Sequence, residues 1–302
     1  MIGALSYEAG AIFPYRFVTS IFNSLLTKYS SGISIETNTP AQSIDAYGPA
    51  NQPYQIYTPR GIIRTRHVIH ATNAFASSLL PGMRGKMIGI RSHMSAQSPP
   101  QDFPLCDGKL SWSLVYGKAD YDYMTQRLGK AGDLMLGGGF SCSIGKGLDQ
   151  IAVYDDSITE PLTAAHLRGM IHTVFGENGK GVEVKNLWSG IICCTADSLP
   201  YVGKLDHTLS GRKVDVADGR SLGERGGEPA EWISAGYHGE GMVYAWLCGI
   251  AVARMVTDSQ DADLEERPGM PRGKVAGWFP RELLVSCKRV HDGDILDIAS
   301  ER

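Results

Sequence analysis

A glycine-rich turn between an apolar strand and an apolar helix is the feature that most constrains this chain. Trp232–Ala235 reads as a strand, and Met242–Val256 is apolar on nearly all sides, so we expect a buried helix there. Three glycines, Gly236, Gly239 and Gly241, lie between them. The first amides of a helix have no partner within it, and glycine lets another molecule approach the main chain. The turn therefore favours contact with an anion or an electron-rich ring, and a tight turn without a ligand is the alternative.

Composition indicates an ordinary globular protein with room for two domains. The chain has 302 residues, of which 43% are hydrophobic and 20% charged, and its net charge is −3. Mild acidity provides no electrostatic footprint for nucleic acid or an anionic membrane, and no apolar run approaches the roughly 20 residues that span a bilayer. Six cysteines without metal-type spacing indicate reduced thiols in a cytoplasmic protein, so Cys193 and Cys194 read as buried thiols rather than a redox pair. No metal site is expected, because His67 and His70 have no third ligand nearby.

The order of the predicted elements is α/β, then β-rich, then α/β. The expected helices are Pro14–Tyr29, Thr72–Leu80, Ala164–Phe175 and Met242–Val256. The expected strands outside the β-rich block are Ile33–Thr37, a hairpin of Tyr54–Tyr57 and Ile62–Ile63, Val68–Ala71 and Trp232–Ala235. Asp206–Pro229 has no periodicity and reads as an exposed loop. An insertion between two halves of one domain would produce this order.

Three segments together carry a family resemblance. They are the Ala-Thr-Asn-Ala stretch 71–74, the stretch 188–203 that runs from Trp188 to Gly203, and the Gly-Tyr-His-Gly-Glu-Gly turn with its flanks, 235–242. Their order and spacing resemble the signature blocks of the FAD-dependent amino-acid oxidase family, which includes D-amino acid, glycine and sarcosine oxidases. The closing stretch 278–285 is similar to the tail of fungal-type members.

The resemblance implies an α/β (α+β) fold with an FAD-binding, Rossmann-like domain and an inserted, β-rich substrate domain of the D-amino acid oxidase type. The implied bounds are 1–84 with 186–266 for the FAD-binding domain, 85–185 for the substrate domain and 267–302 for a C-terminal tail. The implied activity is oxidation of a small-molecule amine or an amino-acid-like C–N bond by hydride transfer to flavin N5.

The resemblance also implies site residues. Those matching cofactor contacts are Ala41, Thr72, Asn73, Gly190, Gly236, His238, Gly239, Glu240, Gly241 and Met242. Those expected to face the substrate are Arg91, Trp188, Ile192 and Tyr237. For Arg91 an ordinary solvated or paired position is an equal alternative. No residue is assigned as a catalytic acid or base.

Several positions depart from the family pattern. A strand–Gly-x-Gly-x-x-Gly–helix element, which holds the cofactor pyrophosphate in the family, does not occur in these residues. Met135 falls where sarcosine oxidases have an oxygen-activating lysine. Ile192 falls where D-amino acid oxidases have a carboxylate-binding arginine and sarcosine oxidases a flavin-linked cysteine, so we expect non-covalent FAD and no special fit for a free α-amino acid. A flavin-free binding protein, a cofactor-independent catalyst and an inactive truncated member remain the alternatives.

Overall fold

The computed structural model describes residues 3–100, 103–117, 120–129, 132–176, 181–214 and 227–296. The chain divides into two compact units. The first unit is Met1–Ile35 with Arg91–Gly190, and the second is Glu36–Ile90 with Ile191–Arg302. The domain bounds implied by the resemblance remain a prediction. Among the described residues, none of the helices combines the length and the apolar character that crossing a bilayer requires.

Helices separate groups of strands along the chain, in the mixed α/β pattern expected from the sequence. The helices are α1 Pro14–Lys28, α2 Ala76–Leu79, α3 Pro161–Phe175, α4 His207–Ser210, α5 Gly241–Val256, α6 Val275–Trp278 and α7 Cys287–Asp292. The strands are β1 Ser43–Asp45, β2 Tyr54–Thr58, β3 Gly61–Thr65, β4 His67–His70, β5 Met87–Ser98, β6 Ser111–Val115, β7 Tyr121–Gln126, β8 Leu134–Gly137, β9 Glu183–Thr195, β10 Tyr201–Lys204 and β11 Ala230–Ala235.

The first unit is built on a sheet with the strand order β6-β7-β8-β5-β9. Helix α3 begins at Pro161, and the Glu160 carboxylate caps it by accepting a hydrogen bond from the Thr163 amide at 2.5 Å. The apolar side of α3 contributes Leu167 and Ile171 to a core that also contains residues of β7 and β8. The helices predicted at the start of the chain and after residue 160 are confirmed.

The second unit contains an antiparallel sheet, β1-β2-β3, and a mixed sheet with the order β10-β11-β4. In the mixed sheet β11 pairs with β4 in parallel and with β10 antiparallel. All six residues of β11 are buried. Trp232 belongs to the hydrophobic cluster that contains α5, and Ile233 belongs to the cluster on the other side, with Leu80 and Tyr201. Burial on both faces is typical of a strand in a parallel pair.

A buried ionic network joins β4, β11 and the segment after α4. The Glu231 carboxylate lies 2.8 Å from His70 Nε2 and accepts two hydrogen bonds from the Arg212 guanidinium, at 2.6 and 2.8 Å. Arg212 also donates to the carbonyl of Leu79 at 3.0 Å. Burial raises the pKa of Glu231, but the hydrogen bonds from Arg212 and His70 outweigh burial and hold the pKa below its ordinary value. The carboxylate is therefore charged and paired inside the unit.

Four sequence expectations need correction. Ile33–Thr37 forms no strand. The helix expected over Thr72–Leu80 is broken into a 3-10 turn, Asn73–Phe75, and the single turn α2, because Asn73 adopts a left-handed backbone conformation with φ +47° and Pro81 follows. Helix α5 is present but is not buried all round, since one side of it is exposed. Asp206–Pro229 includes α4, and its residues 215–226 lie outside the described residues.

The buried network makes a prediction about stability. Replacing Arg212 by methionine should lower the free energy of unfolding by about 3–5 kcal/mol, because Glu231 would keep a buried charge without its cation. Arg267→Met, which removes the exposed 3.5 Å pair with Glu265, is the control and should cost less than about 1 kcal/mol. Urea unfolding at pH 7 measures both variants.

The same network makes a prediction about pH. Since the pKa of Glu231 is lowered on folding, its contribution to stability is present above its ordinary value of 4.5 and is lost as the pH falls through the folded value. The stability difference between wild type and Arg212→Met should therefore shrink below pH 4.5. A difference that stays constant down to the acid transition would contradict a charged Glu231.

Candidate cofactor site

The site is built at the edge of the mixed sheet where β4 and β11 end. Because these strands run parallel, the turns that follow them lie side by side. One turn contains Thr72 and Asn73, and the other runs from Gly236 to Glu240. The Asn73 Oδ1 atom accepts a hydrogen bond from the Gly236 amide at 3.0 Å. Residues 163 positions apart in the chain are thus joined at one edge.

The second turn has an unusual backbone that hydrogen bonds fix in place. Gly236, His238 and Gly239 all have left-handed φ values, of +84°, +50° and +85°. The His238 amide donates to the carbonyl of Cys193 at 2.8 Å, and the Glu240 amide donates to the carbonyl of Tyr237 at 2.7 Å. A non-glycine residue at positive φ is uncommon, and such residues concentrate where the surroundings hold a strained backbone, often at functional sites.

Three amides at the start of α5 are available to a ligand. The carbonyl of Glu240 is the first acceptor of the helix, so the amides of Gly241 and Met242 precede its ladder. Within the described ranges, these two amides and that of Gly239 donate no hydrogen bond. Glu240 is the N-cap, but its side chain makes no capping hydrogen bond. The helix has 16 residues, and its N-terminus carries a partial positive charge of about +0.5.

Gly236 and Gly239 have different structural roles in this turn. A Cβ atom at Gly236 would lie 2.6 Å from the Thr195 Cγ2 atom, in buried surroundings. A Cβ atom at Gly239 would meet nothing closer than Ile192, at 3.9 Å, and Gly239 is exposed. Gly236 therefore serves close packing, whereas Gly239 leaves its backbone open. The structure also brings the predicted substrate residue Ile192 to this turn.

The other predicted site residues lie in several places. The Tyr237 hydroxyl hydrogen bonds Ser234 at 2.7 Å, and burial raises the pKa of Tyr237 to about 12. Ala41 is exposed and lies two residues before β1, in the same unit. Arg91, Trp188 and Gly190 belong to the first unit, where the Arg91 side chain donates to Gln150 at 2.9 Å and to the carbonyl of Asp155 at 3.4 Å.

Two hydrogen bonds of the site have no counterpart in the sequence predictions. One runs from the His238 amide to the Cys193 carbonyl, and the other runs from the Gly236 amide to the Asn73 side chain. Sequence offers no signal for a carbonyl. Asparagine is several-fold enriched at left-handed φ, so an asparagine just after a strand is a weak signal for a fixed turn.

The sequence profile of the FAD dependent oxidoreductase family matches residues 1–255. No curated protein matches the chain significantly. Among solved structures, L-proline dehydrogenase from P. horikoshii is 20% identical with a TM-score of 0.53, over 80% of this chain and 55% of that one. Glycine oxidase from Geobacillus kaustophilus is 17% identical with a TM-score of 0.53, over 80% and 53%. A double mutant of Amadoriase I from Aspergillus fumigatus is 11% identical with a TM-score of 0.58, over 91% and 55%.

These similarities are at the level of the fold. The chain spans about half the length of each of these three structures. The fold class predicted from the sequence, a mixed α/β protein of the amino-acid oxidase type, is confirmed.

The two glycines predict different responses to a methyl group. Gly239→Ala should cost only the strain of a left-handed residue, about 1–2 kcal/mol. Gly236→Ala should cost about 1–3 kcal/mol more, because its Cβ atom would overlap Thr195. Thr195→Ser, which keeps the hydroxyl but removes the overlapping methyl, should recover part of that excess in the double variant. Denaturant unfolding measures the series, and equal losses for both alanine variants would contradict the packing.

A thiol prediction concerns the segment that supports the turn. Burial, and then the neighbouring Cys194, raises the pKa of Cys193 to about 12, and the side chain is fully buried. Cys287 is exposed. Since the thiolate is the reactive form, a maleimide at pH 8 should label Cys287 at least about 100-fold faster than Cys193 in the folded protein. Peptide mapping reads the sites, unfolding in guanidinium should equalise them, and rapid labelling of Cys193 in the folded state would show that the segment opens.

Proposed function

The chain belongs to the family of FAD-dependent oxidoreductases, and on that premise we propose that it binds FAD non-covalently at the turn Gly236–Met242. We propose further that it oxidises a C–N bond of a small amine or an amino-acid-like compound. The observation that carries the proposal is the set of three unsatisfied amides, those of Gly239, Gly241 and Met242, at the start of a long helix. Such a set accommodates negative charge, which FAD carries on its pyrophosphate and develops on its ring when it is reduced.

The residues present fit such a group in two respects. Gly239 is open to solvent, so a flat ring or an oxygen atom can approach its backbone without meeting a side chain. The Asn73 side chain and the Cys193 carbonyl hold the turn before any ligand arrives. Donors that are already held in place need not reorganise when charge develops in front of them, and this is the usual source of electrostatic catalysis.

The chemistry divides between cofactor and protein. When bound, FAD would supply an electron-accepting ring for the oxidation of the carbon that bears the amine. The protein supplies the amides that stabilise the resulting charge, with the helix N-terminus behind them. Tyr237 stays protonated at neutral pH, because its pKa is about 12, so it acts as a neutral wall residue and not as a base.

The substrate class follows from Ile192, which is the side chain nearest the open glycine. Isoleucine cannot pair with a carboxylate, whereas an arginine would bind one through two hydrogen bonds. We infer that the part of the substrate near Ile192 is apolar or uncharged, as in a secondary amine or a larger conjugated amine. Arg91, Trp188, Gly190 and Ala41 remain proposed contacts of substrate or cofactor.

Proline scanning of the helix start tests the cofactor site. Met242→Pro removes one unsatisfied amide, and proline is tolerated in the first turn of a helix. Met242→Ala shortens the side chain but keeps the amide, so it is the matched control. We expect Met242→Pro to bind FAD about tenfold more weakly than Met242→Ala, the loss for one hydrogen bond to a charged group. Quenching of flavin fluorescence measures the affinities, and circular dichroism verifies that both variants fold.

Absorption spectra of the wild type provide the direct test. Flavin bands that stay with the protein through gel filtration, or that appear after FAD is added, support the proposal. A folded protein that does not bind added FAD overturns it and favours the flavin-free alternatives. If Met242→Pro and Met242→Ala bound FAD with equal affinity, FAD binding would stand, but the cofactor would not contact the N-terminus of α5.

A further inference from the structure

The glycine turn of the candidate site packs against residues 195–200, which we call the supporting loop. The loop consists of the last residue of β9 and its connection to β10. At its start, Thr195 lies so close to Gly236 that a Cβ atom there would be 2.6 Å from the Thr195 Cγ2 atom. Farther along, the Ser198 hydroxyl lies 3.5 Å from His238 Nε2. The position of the glycine turn therefore depends on what fixes the supporting loop.

The supporting loop contains a residue in an uncommon conformation. Ser198 has a left-handed backbone, with φ +59°, and its amide donates to the carbonyl of Thr195 at 3.2 Å. The Leu199 carbonyl accepts a hydrogen bond from the Thr195 hydroxyl at 2.9 Å, and the Leu199 amide donates to the Asp197 carboxylate at 3.2 Å. A residue other than glycine keeps a positive φ where its surroundings hold it. In this loop, Asp197 and Leu199 are the residues that are also bound from outside.

The side chain of Arg289, in α7, binds the supporting loop through all three of its guanidinium nitrogens. It donates two hydrogen bonds to the Asp197 carboxylate, at 2.6 and 3.0 Å. It also donates to the carbonyls of Leu199, at 2.9 Å, and Pro200, at 3.0 Å. The guanidinium carbon lies 4.4 Å from the centroid of the Tyr201 ring. A planar guanidinium with this many partners fixes the orientation of the loop as well as its distance.

The pair between Arg289 and Asp197 is ionic and partly shielded from water. The Arg289 side chain is 14% exposed and the Asp197 side chain 38%. Burial raises the pKa of Asp197, but the hydrogen bonds and the charge of Arg289 outweigh burial and hold the pKa below its ordinary value. Asp197 is therefore charged at neutral pH, and the pair is present under ordinary conditions.

Helix α7 is held at both ends, so it presents Arg289 from a fixed support. At its start, the Ser286 hydroxyl accepts a hydrogen bond from the Arg289 amide at 3.2 Å. At its end, the Lys86 ammonium group donates to the carbonyls of His291 and Gly293, at 3.0 and 2.8 Å. The helix, the supporting loop and the glycine turn all belong to the second unit.

We propose that Arg289 is a positioning residue for the cofactor site and acts by holding the supporting loop against the glycine turn. The proposal rests on the proposed function, because FAD is the ligand that the turn is proposed to bind. Helix α7 lies outside residues 1–255, which match the family profile, so the proposal extends the site beyond the matched part of the chain. Holding a binding loop in its bound conformation raises affinity, because less ordering remains when the ligand binds.

Two variants of Arg289 test the proposal through FAD affinity. Arg289→Met removes every donor but keeps an apolar side chain, and Arg289→Lys keeps the charge without the planar group. We expect Arg289→Met to bind FAD about tenfold more weakly than the wild type, as the turn must then be ordered on binding. Arg289→Lys should recover only part of that loss, because an ammonium group cannot form the paired hydrogen bonds. Quenching of flavin fluorescence measures the affinities.

Arg254→Met is the matched control. Arg254 is also a half-buried arginine of the second unit that donates to a carbonyl, that of Ser259, at 2.5 Å. It lies near the end of α5, about 20 Å along the helix from the proposed cofactor contacts. Its FAD affinity should stay within about twofold of the wild type, because the glycine turn keeps its support. Circular dichroism and urea unfolding verify that every variant is folded under the conditions of the binding measurements.

Hydrogen exchange tests the glycine turn in the protein without FAD. The amides of Gly236 and His238 are hydrogen bonded, so their exchange reports how often the turn opens. In Arg289→Met their exchange should be about tenfold faster relative to the amides of β11, which lies in the same unit. Arg254→Met should leave this ratio unchanged. A general loss of stability would speed the turn and β11 alike.

A double variant tests whether Arg289 acts through Asp197. If Asp197→Asn and Arg289→Met act on one pair, the double variant should bind FAD about as weakly as Arg289→Met alone, because the two losses are not additive. Independent effects would instead multiply the two losses. If Arg289→Met does not fold, Arg289→Lys and Asp197→Asn carry the same comparison with Arg254→Met.

Four outcomes overturn the proposal. They are equal FAD affinity of Arg289→Met and Arg254→Met, full recovery by Arg289→Lys, multiplicative losses in the double variant, and an unchanged ratio of exchange between the turn and β11. Failure of the proposed function gives a different result, since the wild type would then not bind FAD. In that case the exchange ratio in the FAD-free protein still decides whether Arg289 positions the turn.

Discussion

The parallel pairing of β4 with β11 is the constraint on which the candidate site depends. It joins residues about 160 positions apart and brings two turns to one edge of a sheet. Across the pair, Glu231 holds His70 and Arg212 in a buried network. Just beyond the carboxyl ends of the two strands, Asn73 holds the Gly236 amide. The ionic interaction and the amide interaction are independent, yet both fix the same two strands, so the positions of the unsatisfied amides follow from the pairing.

The network stabilises the unit only while all of its charged partners are present. A buried carboxylate is stabilising only while its cation and its other donors are present, and removing one partner costs more than forming the pair contributes. The interaction is therefore sensitive to the loss of any one partner, and it defines the register of β4 on β11. A one-residue slip would separate Glu231 from His70 and expose the residues of β4 that now lie in the core.

Much of the local structure could be predicted from the sequence, because local chemistry determines it. Pro14 and Pro161 start helices where a missing amide costs nothing, and the apolar spacing after each proline continues the helix. The glycine turn before α5 was predicted for the same reason. Its role as a set of unsatisfied amides depends on the carbonyl of Cys193 and the side chain of Asn73, which are distant in sequence and which no local pattern identifies.

The main error in prediction is also informative. A helix that is apolar all round indicates burial all round, and α5 is buried on one side. Periodicity measures which sides of a helix avoid water, but it does not say whether the covering residues are in the same sequence. Large exposed apolar patches are uncommon on stable monomers, and they mark interaction sites when a polar surface surrounds them.

The exposed side of α5 and the free amides at its N-terminus are two different surfaces of one strand–helix unit, β11–α5. The first amides of any helix have no partner within it, whereas the exposure of one side depends on what packs against that side. Parallel pairs are typically covered by helices, and among the described residues α5 packs on β10 and β11. The apolar side chains left in water cost about 25 cal/mol for each Å² that a partner could remove. That free energy favours contact of these side chains with another apolar surface, whereas the amides interact with charge and not with apolar area. The exposed apolar side of α5 and the amides at its N-terminus therefore suit different kinds of ligand, although one turn of backbone separates them.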